Sequence, residues 1–100
     1  MIIVHVELSV FPEKENDYLE AITQLASHSQ EEAGNISYFF SKLVGQIDDY
    51  LITEVWASLE DFELHGQTPH FKAYQSLSAQ MNFFKKPPKI MLFEGEIAQH

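Results

Sequence analysis

The sequence contains no cysteine and no arginine among its 100 residues. Without cysteine there are no disulfides, no thiol nucleophiles and no Cys-ligated metal sites, a usage that fits a cytoplasmic protein. Without arginine, the residue that most often clamps a phosphate or carboxylate with two parallel hydrogen bonds is missing. The formal net charge is −9. Because nucleic-acid binding depends on clustered cations, we expect no nucleic-acid partner.

Long apolar runs are also missing. No stretch approaches the roughly 20 apolar residues of a transmembrane helix, and no basic region precedes an apolar one at the N-terminus. We therefore expect no membrane association and no signal peptide. The apolar share of 45% is that of an ordinary globular protein. A chain of 100 residues corresponds to one domain, which we assign to residues 1–97, with a frayed tail at 98–100.

The hydrophobic pattern alternates between two periods. A period of two predicts four strands, at residues 2–10, 35–44, 50–57 and 89–97. Apolar stripes and start signals predict helices at residues 13–33, 58–65 and 69–84, with Gly34 as a left-handed stop after the first. The order β-α-β-β-α-β predicts a ferredoxin-like α+β fold, in which a four-stranded antiparallel sheet carries its helices on one face.

The strand predicted at residues 35–44 indicates a partner subunit. Large apolar side chains occupy both faces of strand 35–44, which includes Tyr38, Phe39 and Phe40. Helices cover only one face of such a sheet, so the other face needs another cover. We therefore expect a homodimer in which two sheets meet.

The stretch from residue 54 to residue 71 holds two helix-start signals. Ser58 followed by Asp61 is typical of a capping box, and Thr68-Pro69 combines an N-cap hydroxyl with a proline in the first turn. A break at Gly66 lies between the two predicted helices. We also expect Gly95 to mark a bulge in the last strand.

Aromatic, imidazole and carboxylate side chains gather around this break. Trp56, His65 and His70 could form a pocket wall; alternatively, Trp56 is core, His65 caps a short helix and His70 sits in a first turn. Glu54 lies on an aromatic and aliphatic strand face, so its carboxylate should either meet a partner or have a raised pKa. The alternative is a strand-end carboxylate that accepts from a backbone amide or pairs across the dimer.

Four segments together resemble the antibiotic biosynthesis monooxygenase domain family, whose members are small ferredoxin-like chains that pair as dimeric α/β barrels. The segments are the proline-containing entry to the first helix at 11–15, Glu-Glu-Ala-Gly-Asn-Ile-Ser-Tyr at 31–38, Glu-Val-Trp at 54–56, and residues 65–71. The similarity implies a monooxygenase that oxidises a small aromatic quinol or phenol in a cavity between helices and sheet, without a metal, flavin or other cofactor.

The resemblance also implies roles for particular residues. His65 or His70 would take a proton from the substrate, since an imidazole titrates near neutral pH. The remaining predicted site residues would contact or orient the substrate; they are Trp56, Glu54, Asn35, Tyr38 and Tyr74. We expect no metal, because His65 and His70 lie five residues apart across a helix break, which is poor ligand spacing.

Other branches of the family fit the sequence less well. The haem-degrading branch is similar in using an asparagine in the first strand and a histidine four residues past the position of Phe71, where this chain has Glu7 and Gln75. The isomerase branch handles a phosphorylated signalling compound, and the missing arginine weighs against it. A non-catalytic dimer that binds a small apolar ligand, or a stress-linked interaction module, stays open as an alternative.

Overall fold

A computed structural model describes residues 1–99 of the chain. In chain order the elements are β1 (Ile2–Ser9), a short 3₁₀ turn (Pro12–Lys14), α1 (Glu15–Ser29), β2 (Asn35–Lys42), β3 (Asp49–Trp56), α2 (Leu59–His65), α3 (Pro69–Met81) and β4 (Lys89–Glu94). The four strands form one antiparallel sheet in the order β2-β3-β1-β4, and the ferredoxin-like prediction is confirmed. Of the tail predicted at 98–100, His100 lies outside the described residues.

The core lies between the helices and the inner face of the sheet. Val4, Leu8 and Ile52 from the strands are almost completely buried there. Tyr18 of α1 is at the centre, with the rings of Phe83 and Phe84 at 5.3 and 5.6 Å between centroids. Edge-on contacts of this kind favour large aromatic side chains in a small core. The apolar stripe of the first strand therefore faces the helices, as its alternation predicted.

The two start signals of the middle stretch are confirmed. The Ser58 hydroxyl accepts a hydrogen bond from the Asp61 amide at 3.1 Å, and the Thr68 hydroxyl accepts from the Phe71 amide at 3.2 Å. Thr68 also donates to the His65 carbonyl at 2.7 Å, which closes the turn between α2 and α3. As a result His65 ends α2 and His70 lies in the first turn of α3.

The segment after α1 differs from the prediction. The helix ends at Ser29 rather than at residue 33, and Gly34 does not have the left-handed conformation expected of a helix stop. A larger residue at position 34 is excluded for a steric reason instead, because a Cβ there would lie 2.1 Å from the Asp61 Cγ. The Gly34 carbonyl also accepts from the Ala57 amide at 2.9 Å. The α1–β2 loop is therefore held tightly against the start of α2.

Two further boundaries are corrected. The second long helix ends at Met81 because Asn82 adopts a left-handed conformation (φ 50°), so Phe83 can turn back into the core. The last strand ends at Glu94, and Gly95 lies beyond it, donating to the Met1 carbonyl at 3.1 Å. The register irregularity of the sheet lies between Asn35 and Ser37, where β2 starts, and not at Gly95 as predicted.

The outer face of the sheet carries apolar side chains in registered rows. Val55 lies opposite both Ser37 and Ile3, and Ile3 lies opposite Phe93 on its other side. In the next row Phe39 is 64% exposed.

Among residues 1–99, none of the helices could span a lipid bilayer, because none combines the necessary length and hydropathy.

The Gly34 contact gives a test of the loop packing. We expect Gly34→Ala to lower the free energy of unfolding by about 1–3 kcal/mol, because the new methyl group must displace Asp61. Gly95→Ala is the matched control, since a Cβ there meets nothing within 4 Å, and its effect should stay within about 0.5 kcal/mol. Urea unfolding followed by Trp56 fluorescence measures both. Equal stability of the two variants would contradict the packing described.

Candidate functional site

A cavity of about 420 Å³ lies between the inner face of the sheet and helices α2 and α3. This volume falls within the roughly 300–1,000 Å³ range of small-molecule sites. Aliphatic and aromatic side chains form most of the wall; the polar exceptions include Glu54, His65, Tyr38 and Tyr74. The cavity is therefore suited to an apolar molecule that carries a few polar groups.

His65 is fixed at the cavity wall by aromatic rings on several sides. Its ring centroid lies 4.7 Å from that of Trp56, 5.1 Å from Phe71 and 5.9 Å from Tyr38. The side chain is nearly inaccessible to solvent, and its Nδ1 lies 2.6 Å from the Glu32 Oε2. Among residues 1–99, its Nε2 is buried without a hydrogen-bond partner. One ring nitrogen is thus engaged and the other is unused.

Glu32 is the site residue that our sequence analysis did not select. Its Oε2 atom contacts His65 Nδ1 at 2.6 Å and His70 Nε2 at 2.7 Å. The residue lies in the α1–β2 loop, 33 and 38 positions before the two histidines. The close packing of Gly34 against α2 places Glu32 beside the two histidines. The sequence offered one signal, because Glu32 is part of the segment 31–38 on which the family resemblance was based.

The electrostatics of this cluster favour a neutral His65. Burial lowers the pKa of His65, and the hydrogen bond to Glu32 opposes that change. A neutral imidazole carries one N–H, and the Glu32 carboxylate accepts it from Nδ1. The tautomer follows from this hydrogen bond, which leaves the lone pair on Nε2. His65 therefore has the arrangement of a base oriented by a carboxylate.

Glu54 is the second unusual acid of the site. It lies between Tyr38 and Val4 across the sheet and is 4% exposed. The Trp56 indole donates to its Oε1 at 3.0 Å. Burial raises the pKa of Glu54 from its ordinary 4.5 to about 7, and the Trp56 hydrogen bond partly opposes this. Both outcomes expected from the sequence, a partner and a raised pKa, are present, so Glu54 can donate or accept a proton near neutral pH.

The two tyrosines that line the cavity keep their protons. Burial raises the pKa of Tyr74 to about 12 and also raises that of Tyr38. The Tyr74 hydroxyl lies 2.8 Å from the Tyr18 hydroxyl at the core side. At neutral pH these side chains therefore act as hydrogen-bonding groups and not as bases.

Three predicted site residues lie outside the cavity lining. Trp56 is completely buried and supports Glu54 and His65 from behind. His70 borders a second pocket of about 370 Å³ on the other side of α3, where its ring stacks on His28 at 5.6 Å. The Asn35 amide donates to the Ser37 and Val55 carbonyls at 3.1 and 3.5 Å. The Asn35 side chain therefore stabilises the irregular start of β2.

The fold and site together define a ferredoxin-like domain with a partly buried carboxylate–imidazole cluster beside an apolar cavity. The family model for antibiotic biosynthesis monooxygenase matches residues 1–77, and the chain belongs to this family.

Individual relatives agree with this assignment. The Bacillus subtilis protein YcnE, which is named as a candidate monooxygenase, is 30% identical over 74 residues, covering 74% of this chain and 78% of its own length. An uncharacterised Synechocystis protein is 27% identical over 93 residues, or 93% of this chain, which spans 62% of that longer protein. A Deinococcus radiodurans structure, titled as a candidate antibiotic biosynthesis monooxygenase, has a TM-score of 0.89 and 25% identity, covering 100% of this chain and 97% of that one.

The raised pKa of Glu54 predicts how stability depends on pH. Since its folded pKa lies above its unfolded value, the folded chain holds the proton more tightly, and stability falls as the pH rises from below 4.5 through about 7. The full loss is on the order of 3 kcal/mol, and Glu54→Gln removes it. We expect the variant to gain stability relative to the natural chain between pH 5 and pH 8. Urea unfolding at both pH values measures the difference, and a constant difference would contradict the raised pKa.

Proposed function

We propose that the chain is a cofactor-independent monooxygenase that oxidises a small phenol or hydroquinone in the cavity beside His65. The observation that carries the proposal is the buried, unpartnered Nε2 of His65, held at the wall of an apolar cavity by the Nδ1–Glu32 hydrogen bond. Family membership and the name of the Bacillus subtilis relative support an oxygenase in general. The mainly aliphatic and aromatic lining of the cavity, with a few polar groups, supports an aromatic substrate in particular.

The proposed reaction begins with a proton transfer. His65 Nε2 removes the proton of a phenolic hydroxyl, and the resulting imidazolium is stabilised by the Glu32 carboxylate. The electron-rich phenolate reacts with O₂ at an ortho or para ring carbon that bears hydrogen, and the peroxide takes the proton back from His65 to give a hydroperoxide. The ring carbon then loses its proton and the O–O bond breaks, which leaves a quinone carbonyl and releases water. One oxygen atom enters the product and the other leaves as water, and the substrate itself supplies all four electrons that O₂ takes up.

Glu54 and Tyr74 suit the orientation of the substrate. Both line the cavity, and Glu54 is protonated for part of the time at neutral pH because its pKa is about 7. A protonated carboxyl donates a hydrogen bond to a developing quinone oxygen, whereas the carboxylate accepts one from a hydroxyl. We therefore assign Glu54 the positioning of a second oxygen substituent on the ring.

His65 is the better candidate for the base than His70. His65 lines the cavity, whereas His70 borders the second pocket and uses its Nε2 to contact Glu32. In this proposal His70 is a positioning residue, because it shares the Glu32 oxygen and fixes its location. Glu32 is also a positioning residue, since it acts through His65.

Oxygen consumption tests the proposal. With a panel of dihydroxynaphthalenes and hydroquinones, we expect oxygen uptake by the natural chain and a fall in kcat of roughly 10²–10⁴-fold in His65→Gln. Glu32→Gln should lower kcat as well and shift the pH profile, because the Nδ1 partner loses its charge. His28→Ala is the matched control, since it removes an imidazole that lies outside the cavity.

No uptake by the natural chain across the panel, with ligand binding retained, would instead support the alternative of a non-catalytic ligand-binding module. Undiminished turnover in His65→Gln would remove His65 from the mechanism. Loss of turnover in His28→Ala to the same extent would mean that the variants act through the fold.

We also propose that two copies pair through the outer faces of their sheets. The rows that include Phe39, Phe93 and Val55 leave an apolar surface on that face, and Phe39 and Phe93 are 64% and 48% exposed. Burying such a surface against a second copy stabilises both chains, which have thin cores at this size. The helices and the cavity lie on the opposite face, so pairing leaves the cavity beneath the helices.

Sedimentation tests the pairing. We expect the natural chain to be a dimer and Phe39→Asp to weaken dimerisation by roughly 30-fold or more, because a charge would be buried in the interface. Leu64→Asp is the matched control: Leu64 is 63% exposed against 64% for Phe39, but it lies on α2. A monomeric natural chain, or an equal effect of the two substitutions, would contradict the proposed interface.

A further inference from the structure

Glu32, His65 and His70 bring three ligand-type atoms together. The Glu32 Oε2, the His65 Nδ1 and the His70 Nε2 all lie within 4.8 Å of one another. The spacing of His65 and His70 in the sequence predicted no metal site. The fold changes that assessment, because it inserts a carboxylate from a distant loop between them. Two imidazoles and one carboxylate are a common ligand set for Zn²⁺ and other divalent transition metals.

The geometry of the cluster is compatible with a bound ion. Both imidazole nitrogens converge on one carboxylate oxygen, at 2.6 and 2.7 Å. A metal would lie about 2.0–2.2 Å from each atom, which requires only a small spreading of the three side chains. The ligands come from the α1–β2 loop, the end of α2 and the first turn of α3. An ion would therefore join these three segments at one centre.

Charge and access support the same conclusion. The chain as a whole has a net charge of −9, which attracts cations. The side chains of Glu32 and His70 are 15% and 19% exposed, whereas that of His65 is 3% exposed. An ion can therefore approach from the second pocket, which His28 and His70 line, without passing through the main cavity.

We propose that Glu32, His65 and His70 bind a divalent transition metal ion of the Zn²⁺ class. The ion binds His65 Nδ1 and His70 Nε2 in place of their hydrogen bonds to Glu32. The single proton of His65 moves from Nδ1 to Nε2, which is then a donor and no longer a base. If the proposed oxidation is correct, metal binding inhibits it; the binding itself does not depend on that function.

The single tryptophan provides a local readout. The Trp56 ring lies 4.7 Å from the His65 ring, so a paramagnetic ion on His65 Nδ1 should quench its fluorescence. With chelator-treated protein and no substrate, we expect Co²⁺ to quench Trp56 at one equivalent and Zn²⁺ to reverse the quenching. His70→Ala and Glu32→Gln should each weaken the Co²⁺ affinity by at least about 10-fold. Glu31→Gln should leave it unchanged, because Glu31 is exposed and gives no atom to the cluster.

Several outcomes overturn the inference. It fails if Co²⁺ does not quench Trp56, if quenching has the same midpoint in all four proteins, or if Glu31→Gln weakens it as much as Glu32→Gln. Circular dichroism and the Tm, both measured in chelator, establish that each variant is folded. If His70→Ala does not fold, Glu32→Gln still tests the site, because glutamine has nearly the same shape as glutamate. A Tm that rises with Zn²⁺ in the natural chain but not in Glu32→Gln is the independent second measurement. Failure of the oxygen-uptake test leaves these results unaffected.

Discussion

One carboxylate oxygen determines the character of this site. The Oε2 of Glu32 holds His65 and His70 together, and it does so from a loop that is distant from both in sequence. Because the oxygen engages Nδ1 of His65, a residue of the cavity wall, Nε2 is the nitrogen left without a partner among residues 1–99. The same oxygen also makes the cluster a set of metal ligands. The acid–base function and the metal site that we propose are therefore two uses of a single arrangement, and each excludes the other.

The wall of the cavity includes the carboxyl group of Glu54, which is buried in a small core. A chain of this size has little apolar surface to spare, yet the sheet keeps Glu54 almost fully buried in its inner face. The indole of Trp56 satisfies one carboxylate oxygen, and the raised pKa shows that burial still disfavours the charge. Such a cost is typical of functional sites, where stability is given up for a group with an unusual pKa. Trp56 thus contributes by supporting Glu54 and His65 from the core.

Family membership and chemistry rest on different observations. The family assignment follows from the match over residues 1–77 and the relatives in sequence and structure. A fold of this kind supports many activities, so the choice of reaction must come from the site. Here that choice follows from which side chains face the cavity. His65 and Glu54 do, whereas His70 and Asn35, which motif similarity placed beside them, face elsewhere.

The sequence alone determined the order of the strands and helices, the buried face of the first strand and the break at Gly66. These features depend on local periodicity and on capping side chains such as Ser58 and Thr68, whose partners lie three residues away. Only the tertiary structure decided that Gly34 packs against Asp61, that Glu32 reaches both histidines and that Trp56 lies behind the cavity. Such contacts join residues tens of positions apart, and no local pattern specifies them because they arise when the loop after α1 closes against α2.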